Sequence, residues 1–514
     1  MPAVPLRIAT AAEVSAIRSA LDRLHFNEPA LCDRLGVSTL DAVDMPLFKS
    51  LESRLKEAGG LEVLGRLFLF GASVQENDAR AHLSAAEFDA FRSADLLRNW
   101  ADPSDRRLFS PVRLVPVHVE RRSPSSLLLA SDRVDHPDGS RFTPFADIVF
   151  SAHNPLTRQF LTLLPIRAGG RVLDLCSGTG VAALAMASDA AACTAADVAE
   201  RSTHFARFNA WLNGCEDVEV VCGDLYQPLA GRTFDRIVAH PPYVPAVSQT
   251  LTYRDGGETG DAIIRGVIRG VPDHLATSGT FHVLCLGMDT SEGVFEERAR
   301  AWLGSAAEEF DIVFALDSIT PPELIASRII ERSGGAPGEL EGWRELFARL
   351  QVKEFVYGAL VGRHFQPRAS GEAFTRRVLM TPDTRVDAFE WLFGWFDWLR
   401  LPERHSRILG LAPRLSPDLR LDVQHQVNDG AFVPATYYLE NGGRPFRARL
   451  STEAWVVALA SEFDGTRAVR DVFADAKARG RVPPDFGDAD LERLIAYLVE
   501  RGCLSVTASG IAPD

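Results

Sequence analysis

The stretch Val172-Leu173-Asp174-Leu175-Cys176-Ser177-Gly178-Thr179-Gly180 is an apolar run that passes through an acid into a turn with two glycines, and an alanine-rich stretch follows it. A short apolar run bounded by glycines reads as a buried strand, and the alanine-rich stretch as a helix. Gly178 and Gly180 carry no side chain, so the backbone can turn sharply there and approach a ligand closely. Asp174, just before the turn, is placed to orient it and to contact a cationic group.

Outward from this turn the pattern alternates. Strands are expected at 171–176, 192–197, 218–223, 234–239, 280–286 and 310–316, with helices at 155–164, 180–189, 200–212, 261–276 and 292–303. A helix at 339–350 precedes closing strands Phe355–Gly362 and Arg376–Met380. This order predicts an α/β fold with a parallel sheet covered on both faces. Open sheets of this kind bind ligands at the C-terminal ends of their strands. Two more acids fall at such ends, Asp197 and Asp224. Asp197 can accept from a pair of neighbouring hydroxyls, and Asp224 from an exocyclic amino group. Glycine turns also serve dinucleotides, but the first glycine of a GxGxxG pattern is absent here.

The fourth strand ends in His240-Pro241-Pro242-Tyr243. Two prolines fix φ and stiffen the strand end, which aims the carbonyl of Pro241 at one point. Tyr243 can stack on a planar group, and residue 240 adds a hydrogen-bonding side chain. A planar NH₂ group held this way would be reactive by positioning. The segment Tyr253-Arg254-Asp255-Gly256-Gly257-Glu258 follows as a candidate lid, against the plainer reading of a solvated turn.

Together these residues resemble class I S-adenosylmethionine-dependent methyltransferases. They are more closely similar to the branch with an (Asn/Asp/Ser)-Pro-Pro-(Tyr/Phe) motif. That branch holds the release-factor glutamine methyltransferases, the N-methyltransferases of nucleic-acid bases and the "small-domain" methyltransferases. The resemblance covers about residues 147–320, and Thr252–Asp261 resembles the segment that follows the motif in glutamine-type enzymes. It implies a Rossmann-like core with a mostly parallel seven-stranded sheet and S-adenosyl-L-methionine as cofactor. By position it implies that Asp174, Cys176, Gly178 and Gly180 hold the methionine part, Asp197 the ribose and Asp224 the adenine. It likewise implies His240, Pro241 and Tyr243 as the catalytic residues, with Tyr253, Arg254 and Glu258 on the substrate. Two positions depart from the pattern. Cys176 stands where a glycine is common. His240 stands where Asn is usual, and a neutral imidazole offers one donor and one acceptor but can also take a proton near pH 6.5. His240 is therefore read either as a general base or as a hydrogen-bond partner only.

Length and composition set the frame. A chain of 514 residues with 46% hydrophobic and 24% charged residues is expected to be globular and multidomain. We expect a helical bundle over 1–110, with helices at Ala11–Leu24, Met45–Lys56, Leu61–Phe70 and Ser84–Trp100. A methyltransferase domain over 111–382 follows, opened by short strands Arg113–His118 and Ser126–Ser131 and the turn Asp135–Gly139. Residues 383–514 are expected to be mainly helical and winged-helix-like, with helices Thr452–Phe463, Ala468–Arg479 and Asp488–Arg501. The tryptophans of Ala388–Leu399 read as packing. Seven cysteines without CxxC pairs suit a reducing cytoplasm, and Cys176 and Cys222 read as small buried hydrophobes. His364, His405 and His425 are isolated, so no metal is expected, and no apolar run is long enough for a membrane span.

A net charge of −14 disfavours nucleic acid as partner, because phosphates must be neutralised. The leading reading is N-methylation of a planar or amine nitrogen on a protein side chain or small molecule. A nucleic-acid base methyltransferase and an inactive, methyltransferase-like binding protein remain as alternatives. The sequence does not fix the oligomeric state.

Overall fold

The computed structural model describes residues 4–8, 10–41, 50–56, 59–100, 104–120, 126–136, 140, 142–246, 250–333, 339–365 and 371–506. They divide into two compact units. The first comprises Met1–Met288, Ala301–Gly304 and Glu345–Val352, and the second the remainder.

The first unit opens with helices α1 (Ala11–Arg23), α2 (Glu28–Leu35) and α3 (Ala85–Ser93). Thr10 starts α1 in a capping box with Glu13, and Ser84 starts α3 in one with Glu87. The helix expected at Met45–Lys56 lies outside the described residues over 45–49; Glu52–Leu55 forms one 3₁₀ turn. The helix expected at Leu61–Phe70 is an α turn followed by a π turn at Gly65–Leu69. The helix expected to run to Trp100 stops at Ser93. Arg98–Asn99 instead joins Val74–Gln75 and Arg107–Phe109 in a small antiparallel sheet. Such two- and three-residue strands are too short to show periodicity.

Strands β1 (Val112–His118) and β2 (Ser126–Asp132) form an antiparallel hairpin, pairing Leu114 with Ala130. Part of the turn expected after it, at 137–139, lies outside the described residues. Helix α4 (Pro155–Thr162) leads into the core. The core runs β3 (Arg171–Leu175), α5 (Val181–Met186), β4 (Ala192–Asp197), α6 (Glu200–Asn213), β5 (Glu219–Cys222), β6 (Phe234–Ala239), α7 (Ala262–His274) and β7 (Leu275–Thr290). The strands lie in the order β7-β6-β3-β4-β5, all parallel. Every residue of α5 is buried. Four of its six residues are Ala or Val, so it sits close to the sheet.

The chain enters in the middle at β3 and steps outward to β5, then returns to the other side of β3 as β6. The connections leaving β3 and β6 thus part in opposite directions at a topological switch point, the usual ligand crevice of such sheets. Ion pairs fix the preceding elements to this core. Buried Asp132 makes a bidentate pair with Arg201 at 2.5 and 2.6 Å. Buried Glu28 pairs with Arg158 of α4 and accepts from the His118 N–H at 2.9 Å.

Cys176 and Cys222 were both expected to be buried, but Cys176 is half-buried and Cys222 exposed. Strand β5 is an edge strand among the described residues.

In the second unit β8 (Phe310–Thr320) runs antiparallel to β9 (Val352–His364) and parallel to β10 (Thr375–Leu379). Among the described residues β3–β10 are thus eight strands, matching the eight runs expected along the chain and exceeding by one the seven that the resemblance implies, with β8 and β9 an antiparallel pair. Helix α8 (Val386–Leu399) buries Trp395 and Trp398, stacked at 5.2 Å, as packing. The three C-terminal helices appear as α9 (Ala454–Ala460), α10 (Val469–Ala478) and α11 (Asp488–Glu500). Before them stands a feature the helical reading of 383–514 missed. Strands β11 (Arg420–Asn428), β12 (Ala431–Glu440) and β13 (Arg449–Thr452) form an antiparallel sheet. β11 is exposed on both faces, so no inward-outward alternation marks it. Its turn residues Asp429 and Gly430 both have positive φ, +48° and +80°, the conformation of a two-residue hairpin turn. Among the described residues no helix is long and apolar enough to cross a membrane.

Candidate active site

The turn after β3 is built on left-handed backbone. Cys176, Gly178 and Gly180 have φ of +56°, +53° and +79°. A Cβ placed on Gly178 would meet nothing within 4 Å, so the turn presents bare backbone to open space there. Cys176 takes the same conformation with a side chain, which L-residues adopt at a cost of about 1–2 kcal/mol. The Gly180 N–H donates to the Ser177 carbonyl at 2.7 Å, and the Ser177 N–H to Ala196 of β4 at 3.1 Å.

Two carboxylates hold this turn from inside. Asp174, on β3, accepts from the Ala183 N–H at 3.0 Å and so pins the first turn of α5. Burial pushes its carboxyl up to about 7 against that hydrogen bond, and the nearby Asp197 adds to the rise. Asp197 accepts from the Gly178 N–H at 2.9 Å with one oxygen and from the Ala199 N–H at 3.0 Å with the other. Burial raises Asp197 as well, opposed by those N–H groups. Asp224 lies exposed just beyond β5. The Cys176 thiol is driven well above its ordinary range, first by burial and then by the charges of Asp197, Asp174 and Asp224. Asp174 and Asp197 therefore bond this turn and its helix, and Asp224 lies near enough for its charge to act on Cys176.

The second half begins one strand over. Leu175 and Ala239 are register partners, so Cys176 and His240 leave adjacent strand ends side by side. The His240 ring lies between Phe160 of α4, at 5.4 Å, and Tyr243, stacked at 5.8 Å. Burial drives the imidazole down to about 4, so it is neutral at physiological pH. Pro241, next in the chain, is buried. Phe160 was not singled out from the sequence; nothing distinguishes it there from the other apolar residues of its helix.

The segment after Tyr243 folds back on the motif. The Val244 N–H donates to Arg254, the Gly256 N–H to Val244 and the Ala246 N–H to Gly257, each at 2.9 Å. Gly256 is needed for this approach, since a Cβ there would lie 2.3 Å from the Gly260 carbonyl oxygen. Asp255 is the organiser and was missed as one. It is buried and accepts from the Thr250 and Leu251 N–H groups at 2.7 and 2.9 Å and from Arg254 at 2.7 Å. Burial would raise its carboxyl, but these donors outweigh it and hold it low. Arg254 is thus spent on Asp255, and Glu258 pairs with Arg349 on the surface. Tyr253 stacks face to face on Phe150 at 5.0 Å, with both rings exposed. Asn154 caps α4, accepting from the Thr157 N–H at 2.9 Å.

The segment that carries both motifs has known counterparts. Residues 148–294 match the methyltransferase small domain. This small-domain segment is also similar to curated proteins. A ribosomal protein uL3 glutamine methyltransferase of Bradyrhizobium diazoefficiens is 30% identical over 28% of this chain and 49% of its own length. A release factor glutamine methyltransferase of Thermodesulfovibrio yellowstonii is 32% identical over 22% and 44%. A uL3 glutamine methyltransferase of Bordetella pertussis is 27% identical over 45% and 80%. The chain thus spans about half, or less, of the length of the first two relatives. Among solved structures, a SAM-dependent methyltransferase from Thiobacillus denitrificans in complex with S-adenosyl-L-homocysteine covers 41% of this chain and 90% of its own, at 16% identity and a TM-score of 0.24.

Proposed function

We propose that this chain is an S-adenosylmethionine-dependent N-methyltransferase whose acceptor is a planar side-chain nitrogen of a protein. The observation that carries the reading is the pairing of two loops at one switch point. The acid-held glycine turn follows β3, and the His-Pro-Pro-Tyr platform follows the adjacent β6.

The residues suit the cofactor. Its ammonium, ribose hydroxyls and adenine amino group are donors, and Asp174, Asp197 and Asp224 are acceptors around bare glycine backbone. The Ser177 hydroxyl oxygen is buried without a hydrogen-bond partner among the described residues, which leaves it for a ligand. Bound there, S-adenosylmethionine supplies an electrophilic methyl group on its sulfonium.

The chain's own part in the reaction is orientation. Asp174, with Gly178 and Gly180, holds the amino-acid end, Asp197 the ribose and Asp224 the adenine. The Pro241 carbonyl accepts one N–H of the acceptor, and His240 engages the same nitrogen or its carbonyl. Tyr243 stacks on the acceptor plane. A neutral imidazole that resists protonation until about pH 4 is a poor base and a good fixed partner. His240 therefore positions. Tyr253 forms the outer wall of the site, while Arg254 and Glu258 serve the loop that carries it. Glutamine methyltransferases are among the relatives of the matched segment, and the net charge of −14 disfavours a phosphate-rich acceptor. Both favour a protein.

The test is transfer of labelled methyl from S-adenosylmethionine into protein, RNA and small-molecule pools of a host extract. Label in protein at a side-chain nitrogen is expected. Label in RNA would move the acceptor class to nucleic-acid bases, and label in small molecules would move it there. Absence of both label and cofactor binding would leave a methyltransferase-like binding protein.

A further inference from the structure

Helix α6 carries two asparagines one turn apart, and both grip the hairpin strand β2. Asn213 accepts from the Leu128 N–H at 2.9 Å and donates to the Leu128 carbonyl at 2.7 Å. Asn209 does the same to Ala130, at 2.7 and 3.0 Å. Leu128 and Ala130 alternate along β2, so each carboxamide stands in for a residue of a neighbouring strand. The two side chains differ in their remaining bond. The second Nδ2 hydrogen of Asn213 turns back to the Asn209 carbonyl, at 2.8 Å, within the helix. That of Asn209 donates to the carbonyl of Thr179 at 3.0 Å.

Thr179 lies between Gly178 and Gly180. Its carbonyl is fixed by a fully buried side chain that belongs to neither strand of the site and whose hydrogen-bonding capacity is otherwise used on the hairpin. Asp174 and Asp197 hold the N–H groups of this turn and of its helix; Asn209 holds a carbonyl between its two glycines. We infer that Asn209 is a positioning residue for the cofactor turn, and that through it the hairpin β1–β2 and the turn share one hydrogen-bonded support. This rests on the cofactor assignment above. Asn209 touches no ligand in this scheme. It selects which way the Thr179–Gly180 peptide faces, and hence where the Gly180 N–H and the start of α5 lie.

Asn213 is the built-in control, since it makes the same strand contact without the link to the turn. Asn209→Ala and Asn213→Ala are compared in the full chain by hydrogen exchange and by calorimetry with S-adenosylhomocysteine. Asn209→Ala is expected to speed exchange of the amides over 176–184 by at least about tenfold and to weaken ligand binding by a similar factor. Asn213→Ala is expected to change both by less than about twofold while loosening residues 126–130. Equal effects of the two substitutions on the turn would overturn the inference. Should the variants not fold, exchange in the wild-type chain decides: ligand binding is expected to protect the Ala130 amide, and no change there refutes the link. A wild-type chain that binds no S-adenosylhomocysteine refutes the cofactor assignment instead, and exchange at 176–184 in Asn209→Ala still judges the support.

Discussion

Leu175 and Ala239 face each other on neighbouring parallel strands, and from that pair the chain leaves in two directions. One exit, through Cys176, becomes the acid-held glycine turn. The other, through His240, becomes the proline platform. The two halves of the proposed site are therefore set by one register, and a strand slip would misalign both.

His240→Ala is expected to lower kcat by about 100-fold or more, equivalent to about 2.7 kcal/mol of barrier, with cofactor affinity within about threefold of wild type. His240→Asn, which keeps a donor and an acceptor, is expected to retain most turnover. Methyl-transfer kinetics beside calorimetry separate the two effects. Loss of cofactor binding in His240→Ala would place the residue in the wrong half of the site.

The buried His240 also predicts a pH dependence. Its pKa falls from about 6.5 in the unfolded chain to about 4 in the fold. Between these values the unfolded state binds the proton and the folded state does not, so stability is lost as pH falls through that window. Urea denaturation from pH 7 to 4 is expected to show a slope that His240→Asn reduces. The rate profile is expected to lack an inflection near 6.5 from this residue. An inflection there that vanishes in His240→Asn would restore the general-base role.

Asp174 titrates in the opposite sense. Its folded pKa is raised to about 7, so its contribution to stability is complete below the unfolded value and is lost as pH rises through 7. A ligand ammonium beside it favours the charged form and expels the proton, so cofactor binding should tighten as pH rises toward 7. Calorimetry at pH 6.5 in two buffers of different ionisation enthalpy is expected to show release of a substantial fraction of a proton. Asp174 and Asp197 interact, so the count belongs to the pair. Zero release would remove Asp174 from contact with the ammonium.

Cys176→Gly relieves a left-handed side chain but loosens the unfolded chain, with a net gain of up to about 1 kcal/mol expected. A β-branched replacement, Cys176→Val, is expected to cost more than 1 kcal/mol, about the scale of a forced left-handed backbone. Thermal melting reads both. The same thiol, among three carboxylates, is expected to alkylate far more slowly at pH 8 than the exposed Cys222. Comparable labelling of the two would mean that Cys176 is more open than its surroundings suggest.

The core strands and helices were legible because apolar runs such as Val283–Leu286 alternate with helical stretches, and the ends of the strands around the glycine turn carry acids. The three acids were legible because each sits at such an end. Asn209 and Asp255 were not: their roles are to bond the backbone of distant or folded-back segments, and backbone partners leave no trace in residue identity. Arg254 looked like a free ligand for the same reason, since only the fold turns it onto Asp255. The hairpin at Arg420–Glu440 carried a usable signal in Asp429-Gly430, but two-sided exposure hid its strands. Cys222 looked buried because the sequence does not say which strand lies at the sheet edge.

The clasp of Asp255 on Thr250, Leu251 and Arg254 has a further consequence. The described parts of the proposed acceptor loop, His240–Ala246 and Thr250–Asp261, are tied to each other and to the strand end they leave, so their shape is set before any substrate arrives. An incoming side chain then pays little ordering entropy to the enzyme. Selectivity becomes a matter of geometric match. The stretches His240–Ala246 and Thr250–Asp261 are in this sense a self-braced cassette, and under the proposed function a change of acceptor could be written into them with the donor half left intact.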